Sequence, residues 1–483
     1  MVNTPIEKFF SWKSFLVLSF LILLIFTRFY NLDRTARFIW DESSDLVRIH
    51  QFFLEKKLTL IGPIDETGTK VFGSLTYYML MPFAVLGNFD PVSTAYGSAF
   101  WGIITALLFV YLTFLINKKL TILIALLTLI WFPLIETSRW AWNPNLIPFW
   151  VTLSLLFYQL KGRVKTILSG LFLGLTIHHH YLSVFALVGF VGALTVTAFA
   201  KRDLQRVFLI TLGIITAVIP FILFDLRHPP GLFVTRIIFF SPYESSMSLV
   251  PALMKLKIWY EYMLNYYTQL PILSILLGVI TPILVITDIK SRSKALIFAS
   301  AWIAQLIGLI FVNNPGKIYY YYVLPSTIFF LVWLIYPRGR KSYLLAISIF
   351  VILFIGGSLS IIPKLTRSNW QTDIHSVRQI SKAISQRIKT NNLQNVNIAV
   401  LSSPDNNTYG RRFRDLLLID SVHIKTKDEY PLSDHLFVIS TKAEQDLRND
   451  PATNINYFRK GKLFEKIEIP GSDWGIYHFS RNQ

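Results

Sequence analysis

Apolar runs of membrane length recur along this chain and leave it few folds to choose from. Residues 14–32 are almost wholly apolar, and at about 1.5 Å per residue such a helix crosses a hydrocarbon core of roughly 30 Å. In lipid every backbone N–H and C=O must be paired inside the chain, so runs of this kind have to be helices. The hydrophobic fraction is 53% and the charged fraction 16%, with a mean hydropathy of +0.47, outside the range of soluble domains. Arg28-Phe29-Tyr30 stands where a signal peptide would carry small residues for cleavage, so the first run reads as a retained helix. The chain has no cysteine, which excludes disulfides, thiolate metal sites and a cysteine nucleophile.

Lysine and arginine outnumber the acids 47 to 28, a net charge of +19. In a soluble chain that excess would suggest a nucleic-acid partner; here it falls in short connections between apolar runs, and no nucleic acid is expected. Spans near 14–32, 92–116, 120–136, 145–160, 164–180, 181–200, 207–225, 270–287, 295–312, 318–336 and 343–362 give about eleven crossings. Alternate connections then carry Lys118-Lys119, Lys161 to Lys165, Lys201 to Arg206, Lys290 to Lys294, and Arg338 to Lys341. All fall on the side of the N-terminal Lys8 and Lys13, which the positive-inside rule makes cytoplasmic.

The expected architecture is an α-helical polytopic protein of the cell membrane. A transmembrane domain covers 1–363, including a long first outer loop at 33–91, and a small extracytoplasmic α/β domain covers 364–483. The tail shows strand-like runs at 396–402 and 436–440 and an amphipathic helix at 373–390. The apolar piece 72–88 is expected to lie along or dip into the interface. The second outer loop, 226–269, is dense in aromatics, including Trp259, Tyr260, Tyr266 and Tyr267. Such residues serve as interfacial anchors or as a floor for sugar stacking.

Four groups on the outer face could carry chemistry. Asp41-Glu42 follow the first span directly, with Asp45 and Arg48 at helical spacing; a partly desolvated carboxylate there suits a general base toward a hydroxyl. Lys70 could hold an oxygen of a departing phosphate, or snorkel at the interface. Glu136 closes an apolar run, so it needs a cavity or a partner, and Arg139 lies close enough in sequence to neutralise it. Asn143-Pro144 suit the start of the next helix. His178-His179-His180-Tyr181 end another span; consecutive side chains on a helix diverge by about 100°, so the three histidines cannot hold one metal, and no metal site is expected. His179, His180 and Tyr181 remain cavity candidates, as do Arg227 and His228 after the seventh span.

This order of features resembles the C-type membrane glycosyltransferases, most closely the family 39 group with its protein O-mannosyltransferases and aminoarabinose transferases. The similar pieces are Asp41-Glu42, the stretch Gly73-Ser74-Leu75-Thr76-Tyr77-Tyr78 after Lys70, Arg139 with Trp142-Asn143-Pro144-Asn145, the run from Ser169 to Tyr181, and Phe224-Asp225-Leu226-Arg227-His228. The resemblance implies a polyprenyl-phosphate sugar as donor, a lipid, glycan or protein acceptor, and surrounding membrane lipids as partners. It also implies that Asp41 acts as base with Glu42 in support, and that Lys70, with Arg139, contacts the donor phosphate. The family often places a second acid after the third helix; here that loop offers Glu136 and then Asn143, which leaves the second acid and any divalent cation open, with no other cofactor implied. The alternative is a transporter or lipid flippase, but those place charged groups near the midplane within repeated halves. In this chain they gather at one face.

Overall fold

The computed structural model describes residues 12–64, 71–233, 249–311, 322–367, 373–401, 408–450, 452–470 and 472–481. Helices occupy each expected span. They run Trp12–Phe29, Pro91–Ile116, Thr121–Ile130 with Phe132–Thr137, Ile147–Gln159, Arg163–His179, Ser183–Lys201, Gln205–Arg227, Pro271–Lys290, Leu296–Gly308, Leu324–Ile335 and Arg340–Thr366. Among the described residues, six of these are long and apolar enough to cross a bilayer alone, the mark of a multi-pass membrane protein. The remainder are shorter or broken. The run expected as one span at 120–136 is interrupted at Trp131, whose backbone is extended between the two pieces and whose indole donates to the Tyr267 carbonyl at 2.9 Å.

The chain divides into two compact units. The first is drawn from Met1–Tyr30, Thr59–Met79 and Ser98–Leu365. Its centre is Leu324–Ile335, in which every residue is buried, while apolar residues such as Phe15 and Phe208 stay about two-thirds exposed on the outer helices, as a lipid-facing surface requires. Leu249–Thr268 is a helix that the reading of 226–269 as a loop did not foresee. Its Trp259, Tyr266 and Tyr267 are buried in the main core rather than spread at an interface. The apolar piece expected at 72–88 forms a helix of 12 residues, Leu75–Leu86, too short to span at about 1.5 Å per residue. A two-stranded antiparallel ribbon precedes it, β1 (Ile61–Ile64) with β2 (Val71–Gly73).

Close approach in this unit depends on small residues. Helices Arg163–His179 and Gln205–Arg227 meet through Gly170 and Gly213: a Cβ on Gly170 would lie 2.0 Å from the Ile210 carbonyl oxygen, and one on Gly213 would lie 2.1 Å from that of Ile167. Helices in lipid associate through such contacts because no hydrophobic gradient drives them together.

The second unit is drawn from Asn31–Leu58, Leu80–Gly97 and Thr366–Gln483. The tail therefore belongs to one unit with Asn31–Leu58 and Leu80–Gly97. Four strands, β3 (Val396–Val400), β4 (His435–Ser440), β5 (Lys462–Glu468) and β6 (Gly475–Ser480), order as β3-β4-β6-β5. The first pair is parallel and the others antiparallel. Helix Ile374–Thr390 buries Ile374, Val377, Ile380, Ile384 and Ile388, the three-and-four spacing of an amphipathic face. Arg378 joins the three segments of this unit, 2.6 Å from Asp33 and 2.8 Å from Asp90, and His375 lies 2.9 Å from Asp33.

The helix contact yields a direct test. Gly170→Ala and Gly213→Ala should each lower the thermal midpoint of the detergent-solubilised protein, since overpacking costs about 1–3 kcal/mol. A Cβ on Gly192 meets nothing within 4 Å, so Gly192→Ala should leave the midpoint unchanged or raise it. Equal behaviour of all three variants would contradict the close approach.

Candidate active site

The connection after Phe132–Thr137 supplies polar groups to the ends of other helices. The buried Arg139 donates to the carbonyls of Thr27 at 2.9 Å, Arg28 at 3.2 Å and Tyr30 at 2.7 Å. These belong to the last turn of helix Trp12–Phe29 and the residue beyond it, where carbonyls have no partner within the helix. Asn143, placed by sequence at the start of the next helix, sends its amide to the His179 carbonyl at 2.7 Å, closing the end of Arg163–His179. The segment Asn143–Leu146 itself is a single 3-10 turn. Glu136 pairs with Lys364, from the last long helix, rather than being neutralised by Arg139 alone. Its side chain is 2% exposed, and an unpartnered charge there would be expensive.

The histidine run diverges, as the helical spacing requires. His178 donates from Nε2 to the Ala217 carbonyl at 2.8 Å and packs on Phe221. His179 is fully buried; its Nε2 accepts from the Trp150 indole at 2.9 Å, so its proton sits on Nδ1 and points to the Thr76 hydroxyl, 2.8 Å away. His180 accepts the Leu182 N–H on Nδ1 and stacks on Phe72 of β2 at 5.2 Å, and Tyr181 lies against the same ring at 5.1 Å. The strand that immediately follows Lys70 in sequence thus rests on the end of the histidine helix. Lys70 itself lies outside the described residues. Arg227 and His228 are exposed at the end of Gln205–Arg227. His228 folds back on Phe224, and Asp225 accepts the Leu232 and Phe233 N–H groups at 2.8 and 3.0 Å.

In the second unit Asp41 and Glu42 open helix Trp40–Glu55. Glu42 is 2% exposed and accepts the Ile39 N–H at 2.8 Å, the returning half of a capping box. Asp41 is half-buried in the same first turn. Farther along, Asp45 is buried and Arg48 is exposed, donating to Gln51 at 3.3 Å. A residue absent from the sequence reading comes next to the pair. Asp415, on helix Arg411–Ile419, accepts from the hydroxyls of Ser43 at 2.6 Å and Ser44 at 3.3 Å. Burial pushes its carboxyl above the usual carboxylate range, against the pull of those hydroxyls and of Arg411. The signal in the sequence was the Arg411–Asp415 spacing on an amphipathic segment. Among the described residues no group of histidines and acids could hold a metal ion.

An acid whose folded-state pKa is raised binds its proton more tightly in the folded state. Its stabilising contribution is complete below the unfolded carboxylate range and is lost as pH rises through the folded value. Asp415→Asn should therefore protect helix Arg411–Ile419 against hydrogen exchange, relative to the parent, at about pH 8, with the difference vanishing near pH 3. Weaker protection in the variant at the higher pH would refute the burial argument.

Neither a family model nor a curated protein sequence matches the chain. Solved structures do match in fold. ArnT from Cupriavidus metallidurans in the apo state aligns with a TM-score of 0.57 at 11% identity, over 97% of this chain and 98% of that one. The same protein bound to undecaprenyl phosphate aligns with a TM-score of 0.53 at 12% identity and the same coverage. At such identity the likeness speaks for the fold, and the fold is that of ArnT along nearly the whole of both chains.

Proposed function

We propose that this protein is a membrane glycosyltransferase that takes a sugar from a polyprenyl-phosphate donor and passes it, on the extracytoplasmic face, to a hydroxyl of a lipid, glycan or protein acceptor. The observation that carries the reading is the end-to-end likeness to ArnT, one of whose structures holds undecaprenyl phosphate. The acid pair after the first long helix, at the place where the resembling family keeps its base, adds to it. The reaction is a single displacement with inversion. One carboxylate takes the acceptor proton while a cation stabilises charge growing on the departing phosphate. Asp41 is the base. Glu42 is engaged in holding the Ile39 N–H, which suits a supporting part, and Lys70 is the cation at the phosphate. The contacts of Arg139 and Asn143 with helix ends suit a part in holding the helices of the first unit.

Two experiments test this. In membranes carrying matched amounts of each variant, transfer of labelled sugar from a polyprenyl-phosphate pool should fall by about 10²–10⁴-fold for Asp41→Asn. Glu42→Gln should do far less harm, because glutamine also serves at that position of a capping box. Lys70→Met should lower turnover strongly and Lys70→Arg less so. Near-normal transfer by Asp41→Asn would remove the base assignment, and normal transfer by every variant would take from the enzyme reading its main support.

The orientation is tested in this cysteine-free chain by single cysteines at the exposed positions Lys57, Ser421 and Ser291. An impermeant maleimide added to intact cells should label positions 57 and 421 and spare 291. The reverse pattern would move the site to the cytoplasm.

A further inference from the structure

Helix Arg163–His179 is 17 residues long. While its last turn carries the histidines, its first turn borders a cavity of about 620 Å³, within the range of about 300–1,000 Å³ typical of small-ligand sites. At about 1.5 Å per residue the two ends are some 25 Å apart, so this cavity is separate from the residues discussed above. Five cations line it, Lys161, Arg163, Lys201, Arg206 and Lys294, with a single carboxylate, Asp203. They come from three connections far apart in sequence. Among the described residues none of the five lies within ion-pair distance of an acid.

The positive-inside rule explains why these connections are basic but not why the charges converge. Lys165, Arg202 and Lys290 stand in the same connections and satisfy the rule equally well without lining the cavity. Like charges gathered around one space repel each other unless an anion enters it. The arrangement is also partly built: Arg206 lies over the Tyr158 ring at 3.8 Å and donates to the Tyr158 carbonyl, and the Gln205 carboxamide sits 3.2 Å from the Arg163 guanidinium. Beneath the cations the lining turns apolar with Leu194, Ile297 and Phe298. Nearby Phe199 and Phe208 are about two-thirds exposed on the outer surface of their helices. A cationic mouth over an apolar wall, at the end of membrane-length helices, matches a headgroup phosphate continuing into acyl chains.

We propose that this cavity is a binding site for the headgroup of an anionic phospholipid of the leaflet facing the short basic connections. The proposal does not depend on the transfer reaction or on the assignment of Asp41.

The test is native mass spectrometry of the full-length, detergent-purified protein titrated with phosphatidylglycerol, phosphatidylethanolamine or inorganic phosphate. The parent should retain one phosphatidylglycerol in preference to phosphatidylethanolamine. The triple variant Lys161→Gln, Lys201→Gln, Lys294→Gln should bind it at least about tenfold more weakly. The matched triple Lys165→Gln, Arg202→Gln, Lys290→Gln removes the same charge from the same connections and should stay within about twofold of the parent. Arginine at the three lining positions should restore binding, which guards against a variant that merely fails to fold. Equal loss in both glutamine triples, equal retention of phosphatidylethanolamine, or displacement of the lipid by inorganic phosphate would each overturn the proposal.

Discussion

The carbonyls left over where a helix stops inside a membrane protein have to be met by something other than water, and this chain meets them with side chains from one short connection. Arg139 takes three carbonyls at the end of helix Trp12–Phe29, and Asn143 takes one at the end of Arg163–His179. Away from water each unpaired group would cost several kcal/mol. The break at Trp131 frees the chain to bring this connection to both helix ends, and the Trp131 indole repeats the arrangement with the Tyr267 carbonyl. Ends fixed in this way hold the histidine helix, and through Phe72 the strand that follows Lys70 in sequence, in one arrangement.

Sequence patterns located the helices because apolar composition and length suffice to mark them. They failed where the deciding fact was a contact. Leu249–Thr268 looked like a loop because tyrosine and tryptophan favour interfaces, yet Trp259, Tyr266 and Tyr267 are core residues. Strand β5 was invisible because its pattern is mixed: Phe464 stands outward with Lys462, Lys466 and Glu468, while Glu465 shares the half-buried face with Leu463 and Ile467, on a sheet edge where charge guards against further pairing. The site was legible in part. Spacing foretold that the histidines diverge, whereas the partner of Glu136, the capping bonds of Arg139 and the approach of Asp415 to Ser43 depend on residues more than a hundred positions away, which no local pattern encodes.

The carboxylates of the candidate site also divide by environment rather than by neighbourhood in sequence. Glu42 is buried against the backbone it caps, and Asp415 is buried beneath two hydroxyls. Asp41, between them in chemistry, is only half-buried. Adjacent acids of similar intrinsic strength are thereby given different work by where the first turn of one helix directs them.

The bond between Ser43 and Asp415 spans 372 positions of sequence, and that distance sets an order of assembly. The helix bearing Asp41 is made first, the helix that covers its Ser43 side emerges some 372 positions later, and domains close as units once the segments they need have arrived. Until then Ser43 and the buried face of that helix have no neighbour from the tail. A chain lacking helix Arg411–Ile419 would hold its membrane helices yet leave the Ser43 side of its acidic turn without these bonds.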